Sequence, residues 1–317
     1  MRTNQLGSKG LELSVVGFGG WEAGGDAWGP NESDQQVIQA MQAGFDAGIN
    51  WIDTAEVYGR GRSERLVGQA VAGRRDELFI ATKVAPRPGG TGFRAPEVQR
   101  ACVSSLGRLG TDHIDLYQLH WRDHRVPVEE TWGAMAGLVE KGLVRWIGVS
   151  NFDRELIGRC LAIRHVDSLQ QHFSMLHLAN RDLIRWCGER GVGVVTYGPL
   201  AYGLLTGAIT RGTRFPPGDW RRGGMGQSYY EKMFAPGKIE RSLAVVDAVR
   251  PIADRLGVTV AQLALAWNVH QPGVTAAIAG TRDPGHVREN AAAGDVDLDE
   301  VVLKELDEIL LLGPDFG

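Results

Sequence analysis

Residues 49–84 read INWIDTAEVYGRGRSERLVGQAVAGRRDELFIATKV. INWIDT (49–54) is short and apolar, as a buried strand is. SERLVGQAVAG (63–73) spaces its apolar residues as a helix does and closes on a glycine, and LFIATKV (78–84) is again a strand. A strand, a helix and a strand in succession imply two parallel strands joined by a crossover helix. The rhythm extends both ways, with strand-like runs SVVGFG (14–19), IDLYQLH (114–120), VRWIGVS (144–150), SLQQ (168–171), VGVVTYG (192–198) and VTAAIAG (274–280). Between them lie helix signals. Ser33 with Gln36 makes a capping box, and Pro96 suits a first helical position ahead of Val98, Cys102, Leu106 and Leu109. Eight strand candidates, most followed by a helix, favour a closed (β/α)8 TIM barrel over a doubly wound open sheet. Residues 2–13 are expected to form a short N-terminal hairpin. With no repeat and no linker-like tract, residues 1–317 are taken as one domain. A loop at about 201–238, rich in Gly, Pro, Arg and aromatics, interrupts the pattern, and loops of that length are commonly functional or mobile.

Composition narrows the function classes. The 317 residues are 43% hydrophobic, 23% charged and 8% aromatic, which excludes intrinsic disorder. A net charge of −4 offers no general attraction to nucleic acid or an anionic membrane. The uncharged stretches 191–210 and 258–281 are cut by glycines or by Gln271-Pro272-Gly273, so they read as buried elements of a soluble core. Cys102, Cys160 and Cys187 lie in helix-like apolar contexts with no CxxC, and no basic-then-apolar leader opens the chain. A reduced, cytoplasmic setting is expected.

In a barrel, chemistry belongs at the C-terminal ends of the strands. Those positions hold Asp53, Lys83, His120, Ser150-Asn151, Gln170, Tyr197 and Gly280-Thr281-Arg282. A carboxylate, a lysine and a histidine at consecutive strand ends would converge on one pocket, and Tyr58, five residues past Asp53, reaches the same space. Here the sequence resembles the aldo-keto reductases. The resemblance is carried by Asp53-Thr54-Ala55-Glu56-Val57-Tyr58-Gly59 with Ser63-Glu64, by Ile114 to Trp121, by Gly148-Val149-Ser150-Asn151-Phe152, by Tyr197-Gly198-Pro199-Leu200, and by Gly280-Thr281-Arg282 with Glu289-Asn290. It spans residues 4 to 312, nearly the whole chain.

That resemblance implies metal-free reduction of an aldehyde or ketone by hydride transfer from a nicotinamide cofactor. Tyr58 would be the general acid, and a phenol with an ordinary pKa of about 10 needs help near neutrality. Lys83 would supply it as an ammonium oriented by Asp53, and His120 would hydrogen-bond the carbonyl oxygen. Ser150, Asn151 and Gln170 would hold the nicotinamide carboxamide, with Tyr197 stacked on the ring and Gly198 and Leu200 beside it. Gly280, Thr281, Arg282 and His286 would take the phosphate end, and Glu289 and Asn290 the adenine. Arg282 could pair with a 2′-phosphate, so NADP(H) is expected first and NAD(H) second. Asp283 stands where many relatives carry a basic or small polar residue.

Trp21, Trp28, Trp121 and Phe152 follow strand ends and are expected to wall the substrate pocket. The long loop, with Tyr229, Tyr230 and its arginines, is expected either to fold over that pocket or to be a solvated face. Competing motifs are weaker. Gly17-Phe18-Gly19-Gly20 lacks the third glycine of a dinucleotide fingerprint, His120 and His124 lie in a strand-then-loop segment without HExxH, and GVSNF is not GxSxG. The rival class is a cofactor-binding regulatory subunit resembling the potassium-channel β subunits. A third reading is a sugar or alcohol dehydrogenase working in the oxidative direction. The sequence leaves the substrate and the oligomeric state open.

Overall fold

The computed structural model describes the chain except residues 27, 30–31, 223–232 and 314–317. Two short strands, β1 (Thr3–Gln5) and β2 (Glu12–Ser14), pair antiparallel as a hairpin. Eight parallel strands follow: β3 (Val16–Gly19), β4 (Trp51–Asp53), β5 (Phe79–Val84), β6 (Ile114–Leu119), β7 (Val144–Ser150), β8 (Ser168–His172), β9 (Gly193–Tyr197) and β10 (Val274–Ala279). They close into a barrel, with β10 pairing both β9 and β3. The expected (β/α)8 architecture is the one observed. The crossovers include α1 (Asp34–Asp46), α2 (Arg62–Ala70), α3 (Ala95–Leu109), α4 (Val128–Glu140), α5 (Arg154–Leu161) and α6 (Arg181–Gly188). After β9 come α7 (Ile239–Leu256) and α8 (Val260–Val269), and after β10 come α9 (Pro284–Ala292) and α10 (Glu300–Leu312). Ser33 caps α1 in a full capping box with Gln36, and Pro96 sits in the first turn of α3. Among the described residues, no helix is long and apolar enough to cross a membrane.

Strand alternation sorts the side chains into two layers. Outward residues such as Ile52, Ile80, Ile147 and Leu169 join the helices in the main core. Inward residues fill the barrel: Trp51, Ala81, Leu116, Val195, Ala276 and Ile278 pack together with Leu6, Leu11 and Leu13 of the hairpin. The hairpin therefore seals the N-terminal end of the barrel. The Trp51 indole donates to the Ser14 carbonyl at 2.8 Å, tying plug to wall. Gly17 makes room for that indole, because a Cβ there would lie 2.1 Å from Trp51 Cε2. The glycines that imitate part of a dinucleotide fingerprint thus include one required by barrel packing.

The inward direction continues upward into polar residues: Asp53 on β4, Lys83 on β5, Gln118 on β6, Ser150 on β7, Gln170 on β8 and Tyr197 on β9. One end of the barrel is apolar and the other polar. Leu13 is 1% exposed within the plug. Leu13→Ala is expected to cost about 2–5 kcal/mol of stability, read from urea unfolding. A loss below about 1 kcal/mol would mean that the hairpin does not seal the barrel.

Candidate active site

β4 ends at Asp53, and the next turn folds back over the strand ends. Thr54 N–H donates to Ala81 O at 2.8 Å, and Glu56 N–H to Lys83 O at 3.2 Å. The hydroxyls of Thr54 and Ser63 meet at 2.7 Å, and Ser63 donates to Gly20 O. Glu56 accepts from the backbone N–H of Ala85 and from Thr91, which fixes the loop after β5. Gly24 lies against the same turn, since a Cβ there would sit 2.8 Å from the carbonyl carbon of Tyr58. The turn delivers Tyr58 above Lys83.

Lys83 is fully buried. Its Nζ donates to Asp53 Oδ2 at 2.6 Å, to Thr54 O at 2.9 Å and to Tyr58 Oη at 3.3 Å. An ammonium has three N–H groups, and all three are used. Burial pulls this ammonium below the ordinary lysine value, against the attraction of Asp53 and, more weakly, of Glu64. Because Lys83 donates to the phenol oxygen, the phenolic proton must point elsewhere. Toward the barrel mouth, Tyr58 meets the His120 ring edge to face at 5.6 Å. Burial, aided by the Lys83 charge, drives the His120 imidazolium well below the usual histidine range. His120 is therefore a neutral hydrogen-bonding group near pH 7. Asp53, Tyr58, Lys83 and His120, expected to converge, are brought together.

The expected carboxamide residues lie on the neighbouring strand ends. Asn151 is left-handed (φ 59°) and acts as a brace. Its Nδ2 donates to His120 O and Ser150 Oγ, and its Oδ1 accepts from Tyr197 Oη at 2.7 Å. Gln170 Nε2 donates to Asp53 Oδ1 at 2.7 Å. A hydroxyl, two amides and an aromatic ring gathered here suit a flat carboxamide-bearing ring, although Asn151 is already engaged internally. After Tyr197 the backbone turns through Gly198 (φ 67°), Ala201 (φ 46°), Tyr202 (φ 56°) and Gly203 (φ 101°), with Leu200 within the turn. Repeated left-handed residues of this kind shape concavities of backbone N–H groups that suit anions.

Further round the mouth, Glu22, Glu32, Gln36, Gln39 and residues 281–284 line a cavity of about 390 Å³. Arg282 donates to Trp28 O at 3.1 Å and lies 4.0 Å from Glu22. Asp283 is the N-cap of α9, accepting from His286 N–H at 2.9 Å, a bond that holds its carboxyl below the usual range. Glu289 and Asn290 follow on that helix, with Gly280 at the end of β10.

One expectation about the substrate side needs correction. Phe152 is 1% exposed and belongs to the main core, where it lines a different cavity under residues 122–128. It follows a strand end but turns into the packing layer. The arginines of the long loop do not act as one face. Arg221 pairs with Asp219, donates to Tyr202 O and lies over Trp28 and Phe215, whereas Arg211, Arg214 and Arg222 are exposed. Trp21 is half-buried and meets Trp28, Tyr202 and Trp220, and a Trp28–Asp219 bridge joins its loop to the long loop. Trp121 stacks on His120 at 3.7 Å and is 43% exposed. Tyr229 and Tyr230 lie outside the described residues. Trp220 and Gln118 were not singled out from the sequence. Gln118 was legible in principle, two residues before His120 on the inward face. Among the described residues, no group of three or more His, Cys, Asp or Glu is arranged to hold a metal ion.

Removing one member of a buried ion pair strands the other charge, at a cost of about 3–5 kcal/mol. Asp53→Leu and Lys83→Met should each destabilise by that amount, and the double variant should recover much of it. Strict additivity in urea unfolding would show that the two charges are not coupled.

The model of the Aldo/keto reductase family matches residues 15–311. The aldo-keto reductase YhdN of Bacillus subtilis is 34% identical over 295 residues, covering 90% of this chain and 87% of the relative. The NADH-specific methylglyoxal reductase of Escherichia coli is 33% identical, covering 98% and 99%. Among solved structures, the glycerol dehydrogenase AKR11B4 of Gluconobacter oxydans superposes with a TM-score of 0.86 at 30% identity, covering 98% and 95%. An aldo/keto reductase of Klebsiella pneumoniae in complex with NADP and acetate gives 0.75 at 32% identity, covering 99% and 96%. This chain belongs to the aldo/keto reductase family.

Proposed function

We propose that the protein reduces an aldehyde or ketone to an alcohol with NADPH, using Tyr58 as general acid. The observation that carries this reading is the saturated Lys83 ammonium, whose third N–H is spent on the Tyr58 oxygen. When bound, a reduced nicotinamide supplies a hydride to the carbonyl carbon. The chain's own residues deal with the oxygen, where negative charge develops. Tyr58 delivers its proton there, and the adjacent ammonium stabilises the phenolate left behind. Neutral His120 donates a hydrogen bond to the same oxygen and sets its angle. Trp121, stacked on the imidazole, limits the tilt of that ring and excludes water from one face. Ser150 and Gln170 orient the carboxamide, and Tyr197 faces the ring. The same groups serve the reverse oxidation, so direction follows supply and demand of the cofactor.

The family relative bound to NADP supports NADPH as the cofactor, with Arg282 as partner of the 2′-phosphate. A second reading, NADH, is favoured by the carboxylate of Glu22, 4.0 Å from that arginine, and by the NADH-specific relative.

The direct test follows NADPH absorbance with a reactive aromatic aldehyde. Tyr58→Phe should lose about 10² to 10⁴ in kcat while cofactor affinity changes less than about twofold. A wild type that binds NADPH tightly yet turns over no carbonyl would favour the regulatory-subunit reading. The pH profile has a defined sign. The competent state has Lys83 charged and Tyr58 protonated, so reduction is lost as pH rises, with a limb starting below the ordinary lysine value of 10.5. No inflection is expected near 6.5, because His120 stays neutral there. A limb centred near 6.5 would contradict the assignment of His120. Arg282→Ala should weaken NADPH at least about tenfold more than NADH, and equal losses would remove the 2′-phosphate role.

A further inference from the structure

Asp53 Oδ2 faces Lys83, but Asp53 Oδ1 is held from the other side of the barrel. Gln170 Nε2 on β8 donates to it at 2.7 Å, and Gln118 Nε2 on β6 approaches it at 3.5 Å. Asp53 and Gln170 are 3% exposed and Gln118 is fully buried. A primary amide donates from one end only, so the carboxylate dictates how both glutamines are turned. For Gln118 this leaves Oε1 buried with no hydrogen-bond partner among the described residues. Buried amides usually satisfy both ends. Here one end is left unsatisfied while the other serves Asp53. The fold also clears space for it, since a Cβ on Gly148 would lie 3.3 Å from Gln118 Cγ and 2.7 Å from Ser168 O.

For Gln170 the consequence reaches further. With its NH₂ turned to Asp53, its Oε1 points away and remains to accept an N–H of a carboxamide. One side chain then contacts the Asp53 carboxylate at one end and faces the cofactor amide with the other. We propose that Gln118 and Gln170 form an amide clamp on Asp53, which makes Gln170 a positioning residue for the proton donor as well as a cofactor residue. The clamp fixes one carboxylate oxygen so that the other stays on Lys83, and Lys83 in turn stays on Tyr58. This inference rests on Tyr58 being the general acid.

The charged and titratable groups around Lys83 and Tyr58 are few. Asp53 comes from β4, His120 from the end of β6, and Glu64 from α2 behind β5. Glu64 is itself tied to Arg108 at 2.5 Å and to Thr82 at 2.7 Å. Loosening the clamp removes two amide dipoles whose positive ends face this cluster and lets Lys83 drift from the phenol. Both effects disfavour the phenolate, so Tyr58 should give up its proton at higher pH.

The experiment is an ultraviolet titration of tyrosinate in cofactor-free protein. Each of wild type, Gln118→Met and Gln170→Met is compared with the same chain carrying Tyr58→Phe, so that the difference reports Tyr58 alone among the six tyrosines. In Gln170→Met the Tyr58 step should move up by about one pH unit, with a fall of about tenfold in kcat at pH 7, the scale of one lost hydrogen bond to a charged group. Gln118→Met should move it in the same direction by less, because its contact is longer, and should leave cofactor affinity unchanged. If Gln170→Met weakens NADPH binding but leaves the cofactor-free titration where wild type has it, Gln170 serves the cofactor only and the clamp is overturned. If Gln170→Met does not fold, Gln118→Met decides alone, and an unmoved step overturns the proposal. A wild type without reductase activity would overturn the proposed function instead, and that outcome is read separately from the titration.

Discussion

A buried ammonium must find a hydrogen-bond acceptor for each of its N–H groups, and the upper half of this molecule is arranged around that requirement at Lys83. Its three acceptors are a side-chain carboxylate, a backbone carbonyl and a phenol, all supplied by β4 and the turn after it. The register pairing Asp53 with Ala81 puts Lys83 one inward position above that pair, within reach of the turn. The turn cannot unwind freely, because Thr54, Glu56 and Ser63 each anchor it to a neighbouring strand end or loop. In the proposed mechanism catalytic geometry and local stability are thus the same set of contacts, and an acid placed by such contacts would need no rearrangement before it acts.

The barrel makes this possible by separating two demands. The lower interior is a dry cluster of Trp51, Leu116, Val195 and their neighbours, stoppered by three leucines of the hairpin. The upper interior, reached along the same inward alternation, is polar and internally bonded. A charge cluster above a packed apolar floor sits in a medium that screens poorly. The Lys83 ammonium therefore acts strongly on Tyr58, and its field helps to keep His120 neutral. Two opposite electrostatic tasks, favouring a phenolate and refusing an imidazolium, follow from one buried positive charge.

The fold was legible because it depends on short apolar runs, each bounded by turn residues and paired in sequence order. The observed strands lie within a residue or two of those runs. The candidate site was legible for a related reason, since Asp53, Lys83 and His120 sit where inward alternation emerges from the barrel. What escaped depends on side-chain direction rather than on position along the chain. Phe152 follows a strand end as the others do, but its ring turns outward into the packing layer, one residue after the left-handed Asn151. Gln118 lies inside a strand run and reads as an interruption of apolar sequence until Asp53 is placed opposite it. Trp220 belongs to a long loop without periodicity, and tertiary contacts such as the bridge from Trp28 to Asp219 bring it beside Trp21.

The same distinction governs the charges at the far end of the cleft. Read along the chain, Arg282 and Asp283 are adjacent opposite charges, and the acid would counter any phosphate the base would bind. In space their roles diverge. The Asp283 carboxylate turns to the first turn of α9 and accepts from His286 N–H, where it also meets the positive end of the helix dipole. Arg282 extends across the mouth to Trp28 O and Glu22. The carboxylate that bears on Arg282 is therefore Glu22, from the loop after β3. Burial raises the pKa of Glu22, against the attraction of Arg282. An anion approaching Arg282 would therefore meet the carboxylate of a residue some 260 positions from the motif that marks this end of the cleft.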